Sequence, residues 1–120
     1  MFTDLYHIKH TEFSEGTLSA SVTLNTAHSI FGGHFPGQPV LPGVCQLALL
    51  KDLLQQQLGK KLLLRKADQV KFMAMIDPRR TPELDVKIQL TEVEGLLTAQ
   101  AVISAGEIVF LKSKARFADA

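Results

Sequence analysis

The stretch FGGHFPGQPVLPGV, residues 31–44, places a histidine among glycines and prolines just before the longest apolar run of the chain. The imidazole of His34 titrates near neutral pH, which suits a general base. Glycine allows close backbone approach and proline fixes φ, so the composition predicts a rigid, irregular loop. Taken alone, a histidine in such a loop is more often exposed to solvent, and a catalytic interpretation needs the surrounding motif.

Other residues of chemical interest give weaker signals. Cys45 follows the motif at the start of a predicted helix, where a thiol pKa can fall, but we expect a packing role rather than nucleophilic chemistry. His7 and His10 stand three residues apart with no evident third ligand, so we expect no metal site. We also expect no cofactor.

Length and composition indicate a single domain spanning residues 1–120, of which 46% are apolar and 21% charged. The net charge of +1 and the 7% aromatic content offer neither a basic stripe nor a stacking platform, which excludes a nucleic-acid module. The first residues lack a basic start followed by an apolar core, and no apolar run reaches the roughly 20 residues of a membrane span. We therefore expect a cytoplasmic protein without membrane association.

The pattern over residues 43–58 predicts one long helix. Its first half is apolar nearly all round and its second half carries leucines at helical spacing, so the helix must be buried. Gly59 supplies a stop signal. Strands are predicted around this helix, at 5–8, 17–25, 66–78, 83–93, 96–104 and 107–117. This order predicts an α+β fold in which an antiparallel sheet of about five to six strands wraps round the central helix. The edges of such a sheet can pair with a second copy, which predicts a dimer.

The motif GGHFPGQPVLPGV closely resembles the active-site segment of the 3-hydroxyacyl-acyl-carrier-protein dehydratases, which read Gly-His-Phe-Pro-Gly-x-Pro-x-x-Pro-Gly-Val. The stretch at 66–78 is similar to a Lys-Phe-containing strand of the same family, although its Pro-Gly-Asp turn is altered to a segment with Arg79 and Arg80. The resemblance covers about residues 16–118. It implies the hotdog fold, with two active sites at a dimer interface.

The resemblance also implies a set of site residues. His34 would take the proton from the α-carbon of a 3-hydroxyacyl thioester, and a backbone N–H of Gly43 or Val44 would bind the thioester oxygen. Phe35 and Pro36 would contact the substrate. The acyl chain would lie in an apolar tunnel beside the helix.

One residue departs from the family pattern. The family carries an acidic residue four positions after the Pro-Gly-Val valine, and this chain has Ala48 there. Three explanations remain open. Asp52, one helical turn further on, replaces the acid; a heterodimer partner supplies the acid; or the protein binds or hydrolyses acyl thioesters without dehydrating them.

The expected substrate is an acyl thioester on an acyl carrier protein (acyl-ACP) or on coenzyme A (acyl-CoA). The expected assembly is a homodimer, with a higher oligomer or a heterodimer with a related dehydratase subunit as alternatives. A basic segment that includes Lys60, Lys61, Arg65, Lys66 and Lys71 suits an acidic carrier protein, but it is equally compatible with ordinary surface charge.

Overall fold

A computed structural model describes residues 4–33 and 37–120. They form one antiparallel sheet of six strands with a long helix, which confirms the expected α+β class. In chain order the elements are β1 (Tyr6–Ser14), β2 (Thr17–Leu24), α1 (Ile30–Gly33), α2 (Gly43–Leu58), β3 (Leu62–Phe72), β4 (Glu83–Val93), β5 (Leu96–Ala105) and β6 (Ile108–Asp119).

The strand order across the sheet is β1-β2-β4-β5-β6-β3, and every neighbouring pair is antiparallel. The inward side chains of the central strands and the buried side of α2 belong to one apolar cluster. The sheet therefore wraps round α2, as in the hotdog fold. Removal of apolar surface from water is the main stabilising contribution to this arrangement.

Strands β2 and β4 follow their sequence pattern closely. Every second residue from Leu18 to Leu24 is buried, and so is every second residue from Leu84 to Ile88. In the register of the two strands Ala20 lies opposite Val86, so both apolar sets face α2. Period two is the signature of a strand with one buried side, and here it predicts the correct face.

The edge strand β3 differs from its prediction. A strand was expected over 66–78, but β3 spans Leu62–Phe72. Its pairing with β6 is irregular between Leu64 and Lys66 and again between Ala67 and Gln69, which breaks the period-two pattern. After Phe72 the chain leaves the sheet, and the carbonyl of Ile76 accepts a hydrogen bond of 2.9 Å from the N–H of Leu41. The first strand is likewise longer than its predicted span of 5–8, because β1 pairs with β2 as far as Ser14.

Both ends of α2 match the sequence prediction. Pro42 is the N-cap in an extended conformation, and Gly59 ends the helix in the left-handed region at φ 66°. Gln55 then connects the helix to β3. Its carbonyl accepts the N–H of Gly59 at 2.9 Å, and its side-chain Oε1 accepts the N–H of Leu62 at 2.9 Å.

Candidate active site

The N-terminus of α2 offers free backbone donors. The carbonyl of Pro42 accepts the N–H groups of Cys45 at 3.0 Å and Gln46 at 3.2 Å. Within the part of the chain that the structure describes, the N–H groups of Gly43 and Val44 have no acceptor. Such donors, at the positive end of the helix dipole, suit an oxygen that gains negative charge during a reaction.

Gly43 has a steric reason to be glycine. A Cβ at this position would lie 2.6 Å from Cζ of Phe72, well inside van der Waals contact. The Phe72 ring from the end of β3 therefore packs against the first turn of α2. This contact fixes the edge strand next to the free N–H groups.

A cavity of about 350 Å³ opens beside this first turn, between α2 and the concave side of the sheet. It falls in the size range of small-molecule sites in proteins. The helix contributes Val44, Leu47, Ala48, Leu50, Lys51 and Leu54, and β3 to β6 contribute Leu64, Ala67, Val70, Ile88, Ala99, Ala101, Ser113, Ala115 and Phe117. Nearly all of these side chains are apolar, so the cavity suits a hydrocarbon chain.

Ala48 lies in the wall of this cavity, at the position where the resembling family carries its acid. No carboxylate belongs to the described lining. Lys51 is its one charged residue, and Ser113 is the other polar one.

Asp52 belongs to a different environment. The hydroxyl of Tyr6, on β1, donates a hydrogen bond to the Asp52 carboxylate, and both side chains are half-buried. Burial, reinforced by the bond to this carboxylate and by its negative charge, raises the pKa of the Tyr6 phenol. Asp52 does not line the cavity that Ala48 lines.

Cys45 is buried in the core on the Asp52 side of the helix. Burial raises the pKa of its thiol, which disfavours the thiolate. Its neighbour Gln46 is 3% exposed and donates from Nε2 to the carbonyl of Leu41 at 3.2 Å. The Gln46 Oε1 atom is buried without a partner among the described residues.

His34, Phe35 and Pro36 lie outside the described residues, so their expected roles stay predictions. The structure thus brings Gly43, Val44 and Ala48 together around one cavity, and places Asp52 against Tyr6. Sequence reasoning missed Lys51 and Tyr6. Lys51 was detectable in principle, because it follows Ala48 by three residues and therefore shares its side of a helix.

Over residues 4–33 and 37–120, no three His, Cys, Asp or Glu side chains come together as a possible metal site. No helix within these ranges combines the length and the apolar character needed to cross a membrane.

Comparisons with known proteins agree with this geometry. A family profile of ApeI-like dehydratases, described as ApeI dehydratase, matches residues 9–107. An uncharacterised thioester dehydrase of Halalkalibacterium halodurans is 34% identical, over 70% of this chain and 58% of its own length. The 3-hydroxyacyl-[acyl-carrier-protein] dehydratase FabZ of Clostridium acetobutylicum is 35% identical, over 62% of this chain and 55% of its own. The chain thus spans little more than half the length of these two relatives. The FabZ of Haemophilus influenzae is 30% identical, over 81% of this chain and 72% of its own.

Among solved structures, the dehydratase heterocomplex ApeI:P from Xenorhabdus doucetiae is similar, with a TM-score of 0.76 and 26% identity over 93% of this chain and 96% of that one. A hypothetical thioesterase from Streptococcus pneumoniae, solved with coenzyme A, shares the fold, with a TM-score of 0.67 and 12% identity over 96% of this chain and 85% of that one. The profile match covers most of the chain and includes the motif, the helix and the cavity-lining residues from Val44 to Ala101. The chain therefore belongs to the ApeI-like dehydratase family.

Proposed function

We propose that this chain dehydrates 3-hydroxyacyl thioesters to trans-2-enoyl thioesters. The observation that carries the proposal is the position of Val44, which lines the apolar cavity and whose backbone N–H, at the start of α2, has no acceptor among the described residues. A thioester carbonyl bound at this N–H would direct its acyl chain along the cavity. Negative charge that develops on the carbonyl oxygen would then meet the positive end of the helix.

The residue roles are those that the resemblance implies, and the geometry of the helix start supports the roles of Gly43 and Val44. His34 would remove the α-proton, and the N–H groups of Gly43 and Val44 would stabilise the enolate-like oxygen. Phe35 and Pro36 would contact the acyl group. Family membership and the names of the FabZ relatives support an acyl carrier protein as the thioester carrier, with coenzyme A as the alternative.

The proposal is tested with 3-hydroxyacyl thioesters of pantetheine, coenzyme A and acyl carrier protein. Formation of the enoyl product and release of free thiol are measured in the same samples. Dehydration that His34→Ala abolishes, and that the matched control His10→Ala retains, would support it. His10 is an exposed histidine on β1, remote from the cavity lining. Thiol release without an enoyl product would overturn the proposal in favour of a thioesterase.

A second candidate is a dehydratase that is complete only as a heterodimer. One observation favours it: the cavity lacks a carboxylate among its described lining residues. Strand β3, a sheet edge with exposed apolar side chains that include Leu64 at 49% and Phe72 at 51%, offers a pairing surface to an identical or a different chain. The similarity to a dehydratase heterocomplex agrees with this candidate.

Light scattering and a substitution at Ala48 separate the two candidates. A self-sufficient enzyme turns over substrate as a homodimer. A heterodimer subunit is inactive alone, and Ala48→Glu would give it activity by restoring the acid. The wild-type chain could also be inactive, and Ala48→Glu could fail to restore activity although acyl thioesters still bind. This result would support a protein that binds thioesters without dehydrating them.

A further inference from the structure

Lys51 is a cation in an otherwise apolar cavity wall. It lines the cavity together with Leu47 and Ala48, and its residue is only partly exposed. No carboxylate of the described residues forms an ion pair with it. The aliphatic stem of Lys51 can pack on the apolar wall while its ammonium group stays hydrated, which leaves the charge available to a ligand that enters the cavity.

The geometry of the helix directs Lys51 toward Ala48. Side chains of an α-helix lean toward its N-terminus and cover the turn that precedes their own Cα. Lys51 therefore extends over the turn that contains Leu47 and Ala48. The methyl group of Ala48 is short and leaves room for the ammonium group. The Lys51 side chain is therefore long enough to reach the region that a longer acidic side chain at position 48 would fill.

Asp52, the sequence-based candidate for the missing acid, is less well placed. Its carboxylate accepts the hydrogen bond from Tyr6 and lies outside the cavity lining. To act on a ligand in the cavity, it would have to leave this half-buried contact. Lys51 needs no such change.

We propose that Lys51 donates the proton that the leaving hydroxyl requires, an inference that rests on the proposed dehydratase function. The α C–H bond breaks and its proton passes to the general base. The electron pair of that bond forms the Cα–Cβ double bond while the Cβ–O bond breaks. A proton from the Lys51 ammonium joins the departing oxygen, so the products are the enoyl thioester and water. Ammonium groups are stronger acids than water, so this transfer is favourable, and Lys51 regains its proton from solvent.

Two substitutions separate a proton donor from a packing residue. Lys51→Met keeps the length and the apolar contacts but removes the donor, and Lys112→Met is the matched control on the outer side of the sheet. With a 3-hydroxyacyl pantetheine thioester, we expect Lys51→Met to lower kcat about 100-fold or more, the usual range for loss of a general acid, with KM changed less than about threefold. The control should keep the wild-type rate. A Lys51→Met variant within about threefold of the wild-type kcat would overturn the inference while leaving the proposed function intact.

A binding measurement tests the role of Lys51 even if the purified chain shows no turnover. Absence of turnover would argue only against a self-sufficient dehydratase and not against the role of Lys51. The probes are the same 3-hydroxyacyl thioester and its 3-deoxy analogue, measured by calorimetry. A hydrogen bond to a charged donor predicts that the wild-type protein prefers the hydroxylated probe by about tenfold, and that Lys51→Met abolishes the preference. Equal affinities of the wild-type protein for the two probes would overturn the assignment of Lys51.

Discussion

The two sides of α2 differ in what covers them. On one side Cys45, Leu49 and Asp52 meet the sheet and β1, and the only carboxylate of the helix accepts a hydrogen bond from Tyr6. On the other side Ala48 and Lys51 border an open apolar cavity, and the only cation of the helix has no partner among the described residues. The carboxylate is therefore part of the framework, whereas the cation is available to a ligand.

A single residue step along α2 separates a charged side chain of the framework from one that lines the cavity. Asp52 and Lys51 are neighbours in the sequence, but successive residues of an α-helix point about 100° apart. The boundary between framework and cavity falls between them. The position one turn beyond Ala48 holds Asp52, which contacts Tyr6, and the position three residues beyond Ala48 holds Lys51, which lines the cavity.

The largest expected effect comes from shortening a leucine to alanine on each side of α2 and comparing the free energies of unfolding. Leu53 is 2% exposed in the core, so Leu53→Ala should lower the free energy of unfolding by about 2–5 kcal/mol. Leu47 is 38% exposed on the cavity side, and Leu47→Ala should lower it by less than about 1 kcal/mol. Urea unfolding measures both. Equal losses of unfolding free energy in the two variants would contradict this difference between the two sides of α2. They would show that the cavity side is covered in solution.

A smaller effect is expected from separating Asp52 and Tyr6. Tyr6→Phe leaves the carboxylate without its donor, and we expect a loss of about 1–2 kcal/mol in urea unfolding. Asp52→Asn retains an acceptor and should cost less. If Asp52 is part of the framework, both variants should keep the dehydration rate within about threefold of wild type. A fall of about 100-fold in Asp52→Asn alone would instead identify Asp52 as the acid.

A comparable or slightly smaller effect is expected at the contact between Gly43 and Phe72. Gly43→Ala forces the tip of the Phe72 ring away from the helix, which should cost about 1 kcal/mol. In a Phe72→Ala background the same change should cost almost nothing, because its steric partner is gone. A double-mutant cycle in urea measures this coupling, and purely additive losses would argue against the contact.

The smallest effect is a spectroscopic one that needs no substitution. Tyr6 is the only tyrosine and the chain has no tryptophan, so tyrosinate absorbance reports Tyr6 alone. Its phenol pKa is raised in the folded protein, and we expect a titration of the native chain to give a higher pKa than a titration of the chain unfolded in urea, where a free phenol titrates at about 10. The sign follows from this shift. The contribution of Tyr6 to stability is complete below the unfolded pKa and is lost as the pH rises through the folded pKa. A native pKa equal to the unfolded one would contradict the bond to Asp52.

The sequence predicted the helix from Gly43 to Leu58 well, because its apolar pattern is long and Gly59 gives a local stop signal. It gave the wrong bounds for β3, where irregular pairing with β6 near Leu64 and Ala67 removes the alternation that marks a strand. The faces of β2 and β4 were predictable because one side of each is buried. Local sequence patterns were therefore sufficient to predict a helix or strand wherever its buried residues recur at a regular spacing.

The site was less predictable than the fold. Ala48 was recognised as a departure because it stands at a fixed distance from a long motif. The partner of Asp52 was not predictable, since Tyr6 is 46 residues away in the sequence and reaches the helix only through the packing of β1. The role of Lys51 likewise depends on where the cavity opens, and that is a tertiary property.

The two hydrogen bonds that Gln55 accepts from Gly59 and Leu62 have a mechanical consequence. They attach the last turn of α2 to the first residue of the edge strand β3. A force that a chain paired with this edge exerts on β3 would therefore be transmitted to the end of α2. The helix would oppose movement of β3 along the sheet. In hydrogen exchange, the Leu62 amide should exchange together with the Gly59 amide at the helix end, although Leu62 belongs to an unpaired sheet edge.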